Sequence, residues 1–434
     1  MSARASGRAL RERSLASQAV TMAGASAVAQ VVNALIFVAV ARASSPADFG
    51  VVVAVLGVAT AAAGAIDFGS NTLWIRELAA QRMPVEAYEK RLAAKLAAGL
   101  AAAVLVTACL LASGADRRWL MGAPVALALV FEQACLVRLA AAAQGQRVAL
   151  ALVVDKLVAG SVLAAVLVGG HRPADWLWLC LALGTAAGGS VALVLTRHGG
   201  TRPRLRLARV NPWRGARSYG LYGLAVSAQS LDVAVMGGIG GSSAAGLYGA
   251  VNRWTQPMGL LAASFASASI PFVARARSGQ EALEAVRRAA WLPLSAVLGC
   301  IVVAAAAPGL VDVVLGDSYE GAAVVLQLLA GAALVSVLNQ PLAAFLQARG
   351  QEVGVARGMV VVVAVQLGLL AVLVPRLGVV GAGVASVTAQ VGLLVVLLSS
   401  FARLHREGAP VSLGADALAD DAAAPAVTTS RVAR

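Results

Sequence analysis

Along this chain apolar residues come in long unbroken runs separated by short polar connections. Gly50 to Ile66, Ala289 to Val311 and Met359 to Val374 are examples. Each is long enough, or nearly so, to cross a hydrocarbon core about 30 Å thick as a helix. A transmembrane barrel would alternate apolar and polar positions over segments of about ten residues, and these runs do not alternate. The pattern predicts about twelve transmembrane helices, over residues 18–41, 50–70, 92–113, 119–143, 148–169, 174–196, 217–239, 244–273, 289–310, 321–348, 353–375 and 378–402.

Composition agrees with that pattern. The chain is 59% hydrophobic and only 13% charged, whereas a soluble domain covers its surface with about 25% charged residues. The expected class is an all-α integral membrane protein. Its formal charge of +14, from 35 Lys+Arg against 21 Asp+Glu, would suggest nucleic acid in a soluble protein. Here the basic residues fall mostly in connections between apolar runs and are read as topology signals, so no nucleic-acid partner is expected. Arg76, Arg82, Lys90, Arg91, Arg147, the Arg197–Arg214 stretch, Arg275, Arg277, Arg287, Arg288 and Arg349 fall on one set of alternate connections. The other set carries Arg42, Arg117, Arg118, Arg172 and Arg376. By the positive-inside rule the richer set, and both termini, should be cytoplasmic.

The expected organisation is a basic N-terminus (1–17), a six-helix lobe (18–196), a basic linker (197–216), a second six-helix lobe (217–402) and a disordered tail (403–434). The apolar stretch from Gln18 to Val40 is too long for the h-region of a cleaved signal and reads as an uncleaved first helix. Sliding the chain by about 199 residues lays the first two helices on the seventh and eighth. Asn33 then meets Asp232, and Phe49–Gly50 meets Tyr248–Gly249. With an even helix number per half, the lobes are expected to be related by a pseudo-two-fold along the membrane normal.

Ionisable residues inside apolar runs are the candidate chemistry, because each costs roughly 2.5 to 3.5 kcal/mol near the bilayer centre unless paired or hydrated. Counting from the turns puts Arg138 and Asp155 at similar depth on neighbouring helices, and Asp232 and Arg253 likewise. Each pair is either a neutralising ion pair or part of a site. Glu132 lies mid-helix with only Arg138 near it in sequence and is the leading candidate to bind a coupling proton or cation; Asp232 and Asp155 are further candidates. Asp67 and Lys95 lie near helix ends and are expected to snorkel. Gln30, Asn33, Gln229, Asn252, Gln256 and Asn339 either bond between helices or line a polar cavity between the lobes. Pro257 and Pro341 are expected to kink their helices. The four cysteines lie in apolar runs without paired spacing, so neither disulfides nor a metal site is expected, and no cofactor motif is present.

Several stretches resemble the polysaccharide biosynthesis and O-antigen flippase family of the multidrug/oligosaccharidyl-lipid/polysaccharide exporter superfamily. They are SSPADFGVVVAV at Ser44, IDFGSNTLWIREL at Ile66, AAGLYGAVNRW at Ala244, GDSYEGAAVVLQLLAGAALVSVLNQPLAAFLQARGQ at Gly316 and LGVVGAGVASVTAQ at Leu377. The resemblance implies a two-lobe exporter in the bacterial cytoplasmic membrane. Such an exporter moves an undecaprenyl-pyrophosphate-linked oligosaccharide outward, in company with other polysaccharide-assembly membrane proteins. It also implies a cationic cavity for the pyrophosphate, for which Arg253, Arg138 and Lys156 are the candidates.

Two readings compete with this one. An ion-coupled multidrug/cation antiporter of similar architecture would present unpaired carboxylates and an aromatic pocket. A membrane-embedded polysaccharide polymerase would need catalytic groups on a substantial outer loop. The expected outer connections are short and carry only Asp312, Asp317 and Glu320 as an acidic set, so an enzyme is not expected.

Overall fold

The structure is a computed structural model that describes residues 28–142, 144–197, 207–255, 258–259, 291–348 and 351–407. Those residues are helical throughout, without strands. The first half comprises α1 (Val28–Arg42), α2 (Pro46–Asp67), α3 (Ser70–Ala79), α4 (Val85–Ala112), α5 (Gly122–Ala141), α6 (Gly145–Val168) and α7 (Pro173–Arg197). The second comprises α8 (Arg217–Ala228), α9 (Asp232–Gly240), α10 (242–255), α11 (Trp291–Leu315), α12 (Ala322–Ala348), α13 (Glu352–Leu377) and α14 (Val379–Glu407). Ten spans among the described residues are long and apolar enough to cross a membrane, with α8, a 3₁₀ turn and α9 forming one of them. Large apolar side chains such as Leu105, Val168, Leu294, Val313 and Val395 point outward, as they must where the surrounding solvent is lipid. The first helix before residue 28, most of the eighth span, Gln256, Pro257 and the tail beyond 407 lie outside the described residues.

Four boundaries differ from expectation, the first three for a local reason. α2 starts at Pro46 rather than 50, because Ser45 caps it: its Oγ accepts from Asp48 N at 3.2 Å, with Pro46 in the first turn. α2 ends when Phe68 and Gly69 both turn left-handed, at φ 43° and 67°, and the segment expected to be a connection becomes α3. α4 starts at Val85, so Glu89, Lys90 and Arg91 are helical rather than in a loop. Tyr88 fixes this first turn by donating to Ala134 O at 2.7 Å and packing edge-on against Trp74. α14 continues through Glu407, so residues 403–407 are not part of a disordered tail. Pro341 lies inside α12, as do Pro308 in α11 and Pro375 in α13.

Lys95 does not snorkel. It is fully buried, ion-paired to Asp67, and donates to Ser70 Oγ and Asn71 Oδ1, both at 2.9 Å, beneath the Trp74 ring at 4.9 Å. The αL break at Phe68–Gly69 accounts for this, because it directs Ser70, Asn71 and Trp74 of α3 around the ammonium.

The two halves meet along α2, more than half of which is buried. Gly50, Gly57 and Gly64 recur every seven residues, two helical turns apart, on the face turned to the second half. A Cβ on Gly50 would collide with Ser242 O and lie 2.6 Å from Gly246 N; one on Gly57 would collide with Ser230 O, and one on Gly64 with the Ser227 side chain. Helix backbones thus touch directly, as small residues permit in membranes. The linker is also fastened: Trp213 Nε1 donates to Ile66 O at 2.7 Å, and Arg76 on α3 donates to Tyr219 on α8.

Gly57→Ala should therefore force the halves apart, costing about 1–3 kcal/mol and lowering the Tm of detergent-purified protein. Gly160→Ala, at a helical site with open space around it, should leave Tm unchanged or slightly higher. Lys95→Met should lower Tm further, by about 3–5 kcal/mol, because it strands Asp67. Adding Asp67→Asn to Lys95→Met should recover part of that loss in the same melt.

Candidate functional site

Beside the α2 seam, where Gly57 meets Ser230, space is left between the halves. There a cavity of about 560 Å³ opens, within the size range of ligand sites. The first half contributes Gln30, Val53, Gly57 and Thr60; the second contributes the rest, from α8, α9, α10, α12, α13 and α14. Amides and hydroxyls dominate its polar lining: Gln30, Gln229, Asn252, Gln340, Gln366 and Gln390, with Thr60, Ser230, Thr255, Ser336 and Ser386. Arg253 is the lining cation, Asp232 the lining carboxylate and Tyr248 the lining aromatic ring among the described residues.

Asp232 is the first residue of α9, where the 3₁₀ turn of Gln229–Leu231 interrupts the helix. Its Oδ1 accepts from Val233 N at 2.6 Å, and its Oδ2 accepts from Tyr248 Oη at 2.7 Å and Asn252 Nδ2 at 3.3 Å. A carboxylate at a helix N-terminus is also favoured by the backbone dipole. Tyr248 Oη lies 3.4 Å from Ser386 Oγ on α14, so the network spans three helices. Gln366 Oε1 is buried without a hydrogen-bond partner among the described residues. Unsatisfied amide oxygen is costly, so this is where water or a ligand gains most by binding.

Arg253 and Asp232 are not in ion-pair contact. The guanidinium instead stands over the Phe37 ring, 4.5 Å from its centroid. Arg138 and Asp155 do not pair either: Arg138 faces Glu89 of α4 at 3.5 Å, and Asp155 holds Lys156 at 2.6 Å. Equal depth made both pairings reasonable, but side-chain direction around each helix decided against them. Of the three candidate cations, only Arg253 lines the cavity; Arg138 and Lys156 belong to the first half's own helix packing.

Glu132, Asp155 and Lys156 form a second cluster with Thr185, whose Oγ1 lies 3.4 Å from Asp155 Oδ1. Gly184 and Gly188 on α7 make room for it, since a Cβ at Gly188 would lie 2.5 Å from Glu132 Oε1 and one at Gly184 2.8 Å from Asp155 Oδ1. Glu132 is 6% exposed, and its Oε1 has no hydrogen-bond partner among the described residues.

Of the expected cavity amides, Gln30, Gln229 and Asn252 line the cavity. Asn339 sits behind it, donating to Gln390 O and Oε1 at 3.0 and 3.1 Å beside a void of about 50 Å³. Asn33 is buried and does not line the cavity, and Gln256 lies outside the described residues. Sequence reasoning passed over Gln366, although an isolated amide in the run VVVVAVQLGLL was a visible signal. It also passed over Tyr248 and Ser386 as partners of the Asp232 network. The place of Tyr248 opposite Phe49 in the internal repeat was a faint pointer to it.

No family model matches the chain, and no curated protein matches it. Solved structures do. The lipid II flippase MurJ in an inward closed conformation aligns with TM-score 0.68 at 10% identity, over 88% of this chain and 87% of that one. An inward-facing multidrug resistance MATE family transporter of the MOP superfamily aligns with TM-score 0.63 at 17% identity, over 87% and 95%. An outward-facing transporter of that family aligns with TM-score 0.61 at 17% identity, over 90% and 95%. At such identities the likeness establishes the architecture, two six-helix lobes.

The Tyr248–Asp232 bond should be measurable as a coupling. Tyr248→Phe should cost about 1.5–3 kcal/mol, the worth of a hydrogen bond to a charged group. In a double-mutant cycle with Asp232→Asn, thermal melts should show an interaction above about 0.5 kcal/mol; additive losses would mean the two groups do not depend on each other.

Proposed function

We propose that this membrane transporter flips an undecaprenyl-pyrophosphate-linked oligosaccharide from the inner to the outer leaflet of the bacterial cytoplasmic membrane by alternating access. The observation that carries this reading is the cavity lining, which among the described residues holds many amides and hydroxyls, one guanidinium and a single aromatic ring. Amides and hydroxyls suit a polyhydroxylated headgroup because each donates and accepts. The guanidinium suits a phosphate, which it binds bidentately. A flat cationic drug would be better served by several aromatic faces. That the chain is similar in fold to a lipid II flippase supports cargo of the lipid-linked kind.

The orientation follows from charge. Arg76, Arg82, Lys90, Arg91, Arg147, Arg209 and Arg214 gather at one end of the bundle, which by the positive-inside rule faces the cytoplasm, as both termini then do. The headgroup enters the cavity from that end while the lipid tail stays in the bilayer, and the lobes then rock about the α2 seam. Glu132, Asp155 and Asp232 are the carboxylates on which a coupling proton or cation would act.

A second reading, an ion-coupled multidrug/cation antiporter, draws support from the unpartnered Glu132 oxygen and from the MATE transporters of similar fold. One experiment separates the two. In proteoliposomes, wild type should flip a fluorescent undecaprenyl-pyrophosphate oligosaccharide, and Arg253→Ala should slow flipping about tenfold or more at equal incorporation. Glu132→Gln should abolish any acceleration by a proton gradient. Export of cationic dyes by a wild type that moves no lipid-linked glycan would establish the antiporter instead.

A further inference from the structure

We infer that Arg253 latches the outer gate of the cavity, so that a phosphate-bearing headgroup is selected by releasing that gate as well as by binding. The inference rests on the flippase reading for the identity of its trigger.

In four of the helices that line the cavity, the lining begins six or seven residues, or about 10 Å, from the end opposite the basic connections. α2 contributes from Val53, α10 from Tyr248, α12 from Leu329 and α14 from Ser386. The layer between the cavity and that end is filled by aromatics. Phe37 on α1 meets Phe49 on α2 edge-on with ring centroids 6.3 Å apart, and Phe49 meets Tyr319, in the 3₁₀ turn before α12, at 6.5 Å. All three are almost wholly buried. Tyr319 Oη donates to Ala41 O at 3.1 Å, a bond that crosses from the second half to the first. Opening the cavity outward requires this stack to part, because Phe37 and Phe49 belong to one half and Tyr319 to the other.

Arg253 lies directly beneath it. It is on α10, in the second half, and stands 4.5 Å from the centre of the Phe37 ring of the first half. Among the described residues it makes no ion-pair contact and no hydrogen bond; the Asp232 carboxylate on α9 attracts it from a distance while itself hydrogen-bonded to Tyr248, Asn252 and Val233 N. The contact thus adds a charge-dependent attraction across the plane along which the gate parts. A phosphate that accepts two guanidinium N–H bonds from the cavity side neutralises the charge on which that attraction depends. Phe37 then loses its hold on the second half while Arg253 gains a ligand. By linkage the effect is reciprocal: anything that weakens the Phe37 contact strengthens anion binding by the factor by which the anion favours opening. An uncharged polyprenol or a neutral glycan makes no such exchange and leaves the gate shut.

The test uses two exposed sites at the outer end, one per half, in protein whose four cysteines are replaced by Ala. Ser113→Cys and Ser318→Cys carry spin labels in nanodiscs, and their distance distribution is measured by pulsed electron resonance. The ligands are none, inorganic pyrophosphate, undecaprenyl pyrophosphate and undecaprenol. Wild type should show one short distance, with a longer population added by either pyrophosphate and not by undecaprenol. Phe37→Leu, which keeps Arg253 and the apolar packing, should raise the longer population about tenfold without ligand and should tighten pyrophosphate binding severalfold. A Phe37→Leu distribution identical to wild type, with unchanged pyrophosphate affinity, would overturn the latch. The two proposals can fail separately. Release by pyrophosphate in a protein that flips no lipid-linked glycan keeps the latch and sinks the cargo. Normal flipping with an outer distance that neither pyrophosphate nor Phe37→Leu moves sinks the latch and keeps the cargo.

Discussion

A charge held inside hydrocarbon must be neutralised by something the protein itself carries, because the bilayer supplies neither water nor counterions. Nearly every ionisable group deep in this bundle obeys that constraint within its own half. Lys95 has Asp67, Ser70 and Asn71; Asp155 has Lys156 and Thr185; Arg138 has Glu89; Asp232 has a tyrosine, an asparagine and a backbone amide. Such groups are costly to break apart and contribute little to net stability compared with apolar packing. Their consequence is specificity of arrangement: each fixes the rotation of two or three helices about their axes. The groups that fall short of full neutralisation stand out against this background. Arg253 has an aromatic face in place of an anion, and Glu132 has an oxygen with no partner among the described residues. One faces the cavity and the other lies inside the first lobe.

Alternating access as proposed above needs lobes that move without coming apart, and the α2 seam suits that. Its glycine face touches the second half at three levels, on the backbone of Ser242 and Gly246 near one end and of Ser230 in the middle, and on the small side chain of Ser227 near the other. Such a seam has no interlocking side chains to extract when it slides or rolls. The αL break at Phe68–Gly69, packed on Tyr219 and Gly220, fastens its far end to the second lobe. The cavity opens beside the seam, where Gly57 and Ser230 line it, and the outward opening proposed above would concentrate strain in the aromatic layer at the outer end.

How much of this could be read from the chain alone depends on whether a feature is local. Long continuous apolar runs and the short basic connections between them determined the class, the helices and the two-lobe organisation, since bilayer thickness sets helix length irrespective of neighbours. Helix ends were less legible: the α2 start at Ser45–Pro46 and the separate α3 depend on capping and on a left-handed residue that hydropathy does not register. The candidate residues Gln30, Gln229, Asn252, Asp232 and Arg253 were recognisable because polar groups are rare inside such runs, and all of them line the cavity.

Which polar groups meet was a different matter. Depth along a helix can be counted from the turns, so Arg138 and Asp155 were placed at matching levels, yet each found another partner. The direction a side chain points depends on helix rotation, and rotation is settled only when glycine seams, caps and all the neighbouring helices pack at once. The same is true of Phe37, Phe49 and Tyr319, three aromatics unremarked in an apolar sequence that become one layer only when α1, α2 and the turn before α12 converge. The sequence by itself determined a membrane bundle of two helical lobes with polar groups inside it. Tertiary packing alone decided that its unpaired guanidinium would sit under that aromatic layer, because the contact joins residues 216 positions apart whose meeting no local pattern encodes.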